Sequence, residues 1–169
     1  MTLNIAIIGA GIAGITAART LAKAGHHVHV FEKSRGAGGR MSTRLSNFGT
    51  FDHGTQYFTV RDPRFSLALQ TVAGTKEICR PWSASAVRVL DPLGDVFEAA
   101  KKNHDAHFAA TPGMNALVRH WAQPLGKTLH LHNQVQRMER NAKGLWSLHT
   151  LNTSTRAEIP ETHAGFDRV

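Results

Sequence analysis

The stretch "GAGIAG", residues 9–14, constrains this chain more than any other. Before it runs a short, nearly all-apolar segment, Leu3 to Ile8. After it, Ile12, Ile15, Ala18 and Leu21 recur at helical spacing. The first segment predicts a strand covered on both faces, the second a helix over 12–24. Gly25 is a natural helix stop, and Val28, Val30 and Phe31 supply a second strand. Strand, helix and strand in that order predict a parallel unit with a right-handed crossover. Within it, Gly9 permits a tight turn, Gly11 lets a pyrophosphate approach the backbone, and Gly14 lets helix and strand pack closely. Ile12 and Ala13 open the helix, whose free N–H groups and partial positive charge suit phosphate oxygens.

Glu32 ends the second strand, "VHVFE", at the distance from the glycines expected of a ribose-binding acid. There it should accept hydrogen bonds from ribose hydroxyls and repel a 2′-phosphate, with Lys33 beside it. The pattern predicts a Rossmann-like dinucleotide-binding domain of the α/β class with a parallel sheet. NADP is disfavoured by the acid.

A second glycine cluster, Gly36-Ala37-Gly38-Gly39-Arg40, follows at once. An NAD-binding domain needs no further phosphate-facing loop there, whereas a flavin dinucleotide has a ribityl chain and a ring still to place. Gly38 and Gly39 would let the backbone approach that longer cofactor. Arg40 could reach the pyrophosphate or the reacting end, with Arg35 a weaker candidate. The alternative is a flexible glycine loop with a surface arginine. Given the fingerprint, FAD is the favoured ligand.

Further along, Pro63 to Val72 predicts a helix capped by Asp62, and Pro112 to Trp121 another capped by Thr111. Ile78 to Phe97, broken by Pro81, Pro92 and Gly94, predicts short strands joined by turns. "TLHLHNQVQRMER" and "GLWSLHTL" alternate as strands do, with a turn over 141–144, and "HAGFDRV" reads as a turn into a new strand.

The net charge of +8 is scattered, with no block longer than Lys101-Lys102, so nucleic-acid binding is not indicated. No apolar stretch is long enough to span a bilayer, and a lone cysteine, Cys79, fits a reducing compartment; a cytoplasmic protein is expected. Eleven histidines include alternating pairs at 27/29 and 130/132 and a spaced pair at 104/107. No acids or further cysteines accompany them in a ligand pattern, so they read as surface or boundary residues and no metal is expected. Ser83 and Ser85 lack a nucleophile-elbow setting. Trp82, Trp121 and Trp146 read as core anchors.

"EKSRGAGGRM" at 32–41 resembles the signature of the flavin-containing amine oxidase superfamily, and "FDHGTQYF" at 51–58 resembles its renalase-like branch. "TPGMNALVRH" at 111–120 and the segment from Val135 to Leu148 follow in the same order. The resemblance covers essentially the whole chain. It implies that Gly9, Gly11, Gly14 and Glu32 hold the ADP part of FAD, and that Gly38, Gly39 and Arg40 lie along the pyrophosphate toward the flavin. It places Gly54, Thr55 and Gln56 beside the isoalloxazine ring and gives Val135 a backbone contact with adenine. Tyr57 would face the substrate side, and His53 lies near the flavin, where a packed loop role is favoured. Thr55 stands where the family often has alanine. The implied activity is hydride transfer to the flavin from an amine or a dihydronicotinamide-type small molecule, with reoxidation by oxygen to hydrogen peroxide; no catalytic acid or base is assigned.

The domain expectation is an FAD-binding domain over 1–169, with 76–110 starting an inserted β-rich, substrate-side region. Family members continue past "FDRV" into a strand, a substrate domain and a second FAD motif. The chain is therefore expected to be an N-terminal portion. The alternative expectation is a truncated, catalytically inactive nucleotide-binding fragment. Oligomeric state is not indicated.

Overall fold

The structure is a computed structural model that describes residues 1–72, 74–82, 88–98, 106–155 and 159–169. Strand β1 (Asn4–Ile8), helix α1 (Ile12–Lys23) and strand β2 (His27–Phe31) come first, close to the spans the sequence predicts. A hairpin follows, β3 (Thr43–Ser46) with β4 (Gly49–Asp52). Next come β5 (Phe58–Thr59), α2 (Pro63–Thr71), α3 (Thr75–Ile78) and β6 (Cys79–Pro81). A second hairpin pairs β7 (Arg88–Leu90) with β8 (Val96–Glu98), before β9 (His107–Ala110) and α4 (Asn115–Ala122). The chain ends with β10 (Leu129–His130), β11 (Asn133–Arg140), β12 (Trp146–Asn152) and β13 (Glu161–Phe166).

β1, β2 and β10 form a parallel sheet in that order. β11, β12 and β13 form an antiparallel meander, and β5, β9 and β6 a small antiparallel sheet within the long crossover from β2 to β10. Because side chains alternate along a strand, β2 presents Val28 and Val30 to one face and His29 and Phe31 to the other. The first face packs with Ile15 and Ala18 of α1 and with Leu117, Val118 and Trp121 of α4, all nearly or fully buried. The Trp121 indole donates to Thr75 Oγ1 at 3.0 Å, tying α4 to α3. The other face packs Ala6 and Phe31 against Leu148 and Phe166 of the meander.

Imidazoles share that second interface. His29 and His130 stack, with Nδ1 of one 3.0 Å from Nε2 of the other, and His163 lies over Phe31. Burial, then His163 and His27, lowers the pKa of His29. Burial, then His29 and His163, lowers that of His130, with Glu161 partly opposing. The unfolded chain therefore takes up these protons first. Stability is full above the ordinary histidine value of 6.5 and falls as pH drops through it toward the lower folded-state values. Thermal melts should give a lower Tm at mildly acidic pH than at neutral pH, and His130→Phe should make that drop smaller by removing one of the two groups. Equal melting temperatures at both pH values would rule out this linkage.

Several expectations are corrected. α4 starts at Asn115, not Pro112, and Thr111 does not cap it. Its first N–H groups are capped from the β3–β4 hairpin: Asp52 Oδ1 accepts from Met114 N at 2.9 Å and Thr43 Oγ1 from Asn115 N at 3.2 Å. "HAGFDRV" begins as strand and not as turn; the bend comes only at Asp167, after which Arg168 forms a parallel bridge with Ile5 as the expected new strand starts. Glu161–Phe166 pairs with β12, and the chain then runs beside β1, where Ala6 N donates to Arg168 O and Asp167 N to Asn4 O. The "TLHLHNQVQRMER" segment divides at His132, which has a φ of 59°, so its first part joins the parallel sheet and its second the meander. Trp121 is a core anchor and Trp146 is partly buried, but Trp82 is half exposed, where it packs beside Tyr57. Asp62 caps α2 as expected, accepting from Arg64 N at 2.8 Å. Ser83, Ser85, Lys101, Lys102 and His104 lie outside the described residues.

Candidate nucleotide-binding site

Gly9 leaves β1 with a φ of 98°, the left-handed region that favours glycine, and its N–H donates to Phe31 O at 2.8 Å. The turn delivers Gly11 to the N-cap of α1, where the backbone is extended. The N–H groups of Ile12, Ala13 and Gly14 in the first turn have no intrahelical acceptor and carry the positive end of the helix. The fingerprint glycines serve different needs. A Cβ on Gly14 would run into the carbonyl oxygen of Gly9, so that glycine is required by the protein itself. A Cβ on Gly11 would meet nothing closer than Gly39 Cα at 3.8 Å, an ordinary contact.

The second glycine cluster packs against the first. Gly38 N donates to Ala10 O at 2.9 Å, Gly11 and Gly38 form an isolated parallel bridge, and a Cβ on Gly39 would lie 3.0 Å from Gly11 Cα. A third loop joins them: Thr55 N donates to Arg40 O at 2.8 Å, and a Cβ on Gly54 would collide with that carbonyl. Residues 9–14, 38–40 and 54–55 therefore form one shelf of closely packed backbone. Arg40 is exposed on it, as are His53 and Gln56. Gly36 has no such constraint, because a Cβ there meets nothing within 4 Å.

Glu32 is 7% exposed and firmly held. One carboxylate oxygen accepts from Ala10 N and the other from Ser34 N, both at 2.8 Å. Its own N–H donates to His130 O, and its carbonyl accepts from Asn133 N. The acid expected to meet a ribose is thus also the residue that locks the glycine loop to β2 and to the start of β11. Each oxygen retains acceptor capacity for a hydroxyl. Glu32→Gln must turn an NH2 toward one of these N–H donors. The expected cost is about 1–3 kcal/mol of stability, read from urea unfolding. A variant as stable as the parent would mean that the two backbone contacts contribute nothing.

The remaining candidates spread outward. Lys33 is exposed, and its carbonyl accepts from Thr153 Oγ1. Val135 lies two residues into β11 beyond the Asn133 contact and packs on the second core. Tyr57 is 42% exposed, with its ring edge-on to His107 at 4.4 Å. Sequence reading missed Thr43 and Asp52, bonded at 2.6 Å, which fix the hairpin beside the shelf to α4; only the aspartate in "FDHG" hinted at them. Burial pushes the Cys79 thiol up to about 11, which makes it a poor nucleophile. Among the described residues, no three His, Cys, Asp or Glu side chains gather as a metal site, and no helix is long and apolar enough to cross a membrane.

Residues 7–70, which contain the glycine turn, α1, Glu32 and the shelf, match the family of NAD(P)-binding Rossmann-like domains. The fold is Rossmann-like. Over 60 residues the chain is 45% identical to the 4,4′-diapophytoene desaturase of Staphylococcus haemolyticus, a stretch covering 36% of this chain and 12% of the desaturase. The enzyme of the same description from Staphylococcus aureus strain Newman is 46% identical over 52 residues, 31% of this chain and 10% of that one. Whole-fold likeness reaches further. A fatty acid isomerase from P. acnes superposes on the Rossmann-like chain with a TM-score of 0.70 at 13% identity, covering 98% of this chain and 57% of its own. A putrescine oxidase variant gives 0.66 at 13% identity, covering 89% and 55%. An FAD-containing monooxygenase from Photorhabdus luminescens gives 0.59 at 16%, covering 98% and 38%. The chain thus spans about half the length of the first two of these solved structures.

Proposed function

We propose that this chain is the FAD-binding part of a flavin-dependent oxidoreductase of the renalase-like branch of the amine oxidase superfamily. The observation that carries the reading is the three-loop shelf, in which Gly38, Gly39 and Gly54 are spent on continuing the backbone surface well past the α1 N-terminus. An ADP moiety is accommodated by Gly9, Gly11, Ile12, Ala13, Gly14 and Glu32 alone, and the extension through Arg40 to Gln56 suits a longer cofactor. The relation to a desaturase and the fold shared with oxidases and a monooxygenase support the same class.

In this reading the α1 N–H groups and Arg40 bind the pyrophosphate. Glu32 accepts from the ribose with its remaining lone pairs, Val135 meets adenine through its backbone, and Lys33 flanks the ribose. Gly54, Thr55 and Gln56 run along the ring, and Tyr57 faces a small-molecule substrate. When bound, the flavin would supply hydride acceptance from a substrate C–H and reoxidation by oxygen to hydrogen peroxide, a two-electron, two-proton exchange overall. The substrate is an amine or a dihydronicotinamide-type molecule, and the protein acts in the cytoplasm.

Gel filtration of the purified chain with added FAD tests the binding step. The visible flavin band is expected to travel with the protein at about one flavin per chain. A folded protein that retains no flavin, or that prefers NAD, would overturn the reading.

A further inference from the structure

A cavity of about 530 Å³ does not lie over the glycine shelf. It opens between the 35–37 loop, the β3–β4 hairpin and α4, on the far side of the Ala37–Gly38 backbone. Gly38 lies next to both: its N–H donates to Ala10 O at 2.9 Å, and a Cβ placed on it would lie 3.0 Å from Ser42 Oγ and 3.4 Å from Asn115 Cβ, a residue of the cavity wall. None of Gly9, Gly11, Glu32, Gly39 or Arg40 lines the cavity. Its volume falls in the range of small-molecule sites.

The lining has a definite chemistry. Leu45, Pro112, Leu129 and Leu131 supply apolar wall, Thr43, Thr50, Asn115 and Gln123 add neutral polar groups, and Arg35 and Arg119, both exposed to solvent, also line it. No Asp or Glu lines it, and neither arginine is engaged in a hydrogen bond or ion pair among the described residues. Two uncompensated cations at a partly apolar cavity attract an anion and repel an amine or other cation. We infer that this cavity binds a small amphipathic anion, a carboxylate or sulfonate carried on an apolar body, at a site separate from the nucleotide shelf. The head group pairs with Arg35 and Arg119, and the body lies against the leucines. A guanidinium can engage such an anion through two parallel hydrogen bonds, which gives orientation as well as attraction. The inference does not rest on the flavin reading.

A matched pair of fluorescent probes tests it: 1-anilinonaphthalene-8-sulfonate, and N-phenyl-1-naphthylamine, which has the same body without the charge. The sulfonate is expected to bind the folded chain saturably at one site, at least about tenfold tighter than the neutral probe, a margin of about 1.4 kcal/mol. Arg119→Ala, an exposed position whose loss leaves the core intact, should remove most of that margin. Gly36→Leu fills open space in the cavity wall and should block both probes while circular dichroism stays unchanged. Saturating FAD should leave sulfonate binding in place. Equal affinity for the two probes, or no effect of either substitution, overturns the anion site. Competitive displacement by FAD overturns its separateness, and loss of FAD binding alone leaves it standing.

Discussion

Gly14→Ala is expected to destabilise the fold, against the ordinary behaviour of glycine in a helix. At a solvated helix position the change would stabilise by about 1 kcal/mol. Here the new Cβ meets the carbonyl oxygen of Gly9, with Ile7 Cγ2 at 3.4 Å behind it. The carbonyl is backbone in the turn that α1 packs upon, so it cannot swing away as the end of a flexible side chain would. Overpacking of this kind costs about 1–3 kcal/mol or more and here falls on backbone, which puts it at the upper end. The net loss should be about 2 kcal/mol, or roughly 4–8 °C in Tm for a chain of this size. A Tm at or above that of the parent would mean that α1 sits further from β1 than the structure has it.

Gly11→Ala should do the opposite, keeping the fold and losing the ligand. Its φ of −75° and ψ of 177° suit any residue, and its Cβ has an ordinary neighbour at 3.8 Å. The stability cost is that of a poorer N-cap, about 1 kcal/mol at most. In the proposed binding mode the methyl group would, however, stand where the pyrophosphate approaches the helix N-terminus. FAD affinity is expected to fall about 100-fold, which corresponds to about 2.7 kcal/mol. Flavin titration of a variant shown to be folded by its melt is the measurement. Unchanged affinity would mean that the cofactor does not cross Gly11. Together the two substitutions separate the glycine that the protein needs from the glycine that the nucleotide needs, which a fingerprint alone cannot do.

The parallel unit was legible because its signals are local. The apolar run of β1, the helical spacing after it and the stop at Gly25 each act within a few residues, and the structure follows them almost to the residue. The same holds for α2, whose cap and first-turn proline are adjacent. Where a boundary depends on a distant partner, local reading fails. Helix α4 begins late because Asp52 and Thr43, some sixty and seventy residues upstream, bond its first N–H groups. Strand β13 was misread because "ETHAGF" has no apolar alternation and is strand only by pairing with β12.

The sequence by itself determined the strand, turn and helix around the glycine fingerprint: three glycines at fixed spacing, a helix start and an acid at the end of the next strand, each set by backbone geometry or charge over short range. Only the tertiary structure decided what the second glycine cluster does and where the histidines go. Gly38 and Gly39 are held against Gly11 and Ala10, and Gly54 against Arg40, by contacts between loops with no sequence proximity. His29, His130 and His163 meet because two sheets pack face to face, which brings together residues from three strands. Local pattern fixes which backbone a segment adopts, and packing fixes which surfaces then touch.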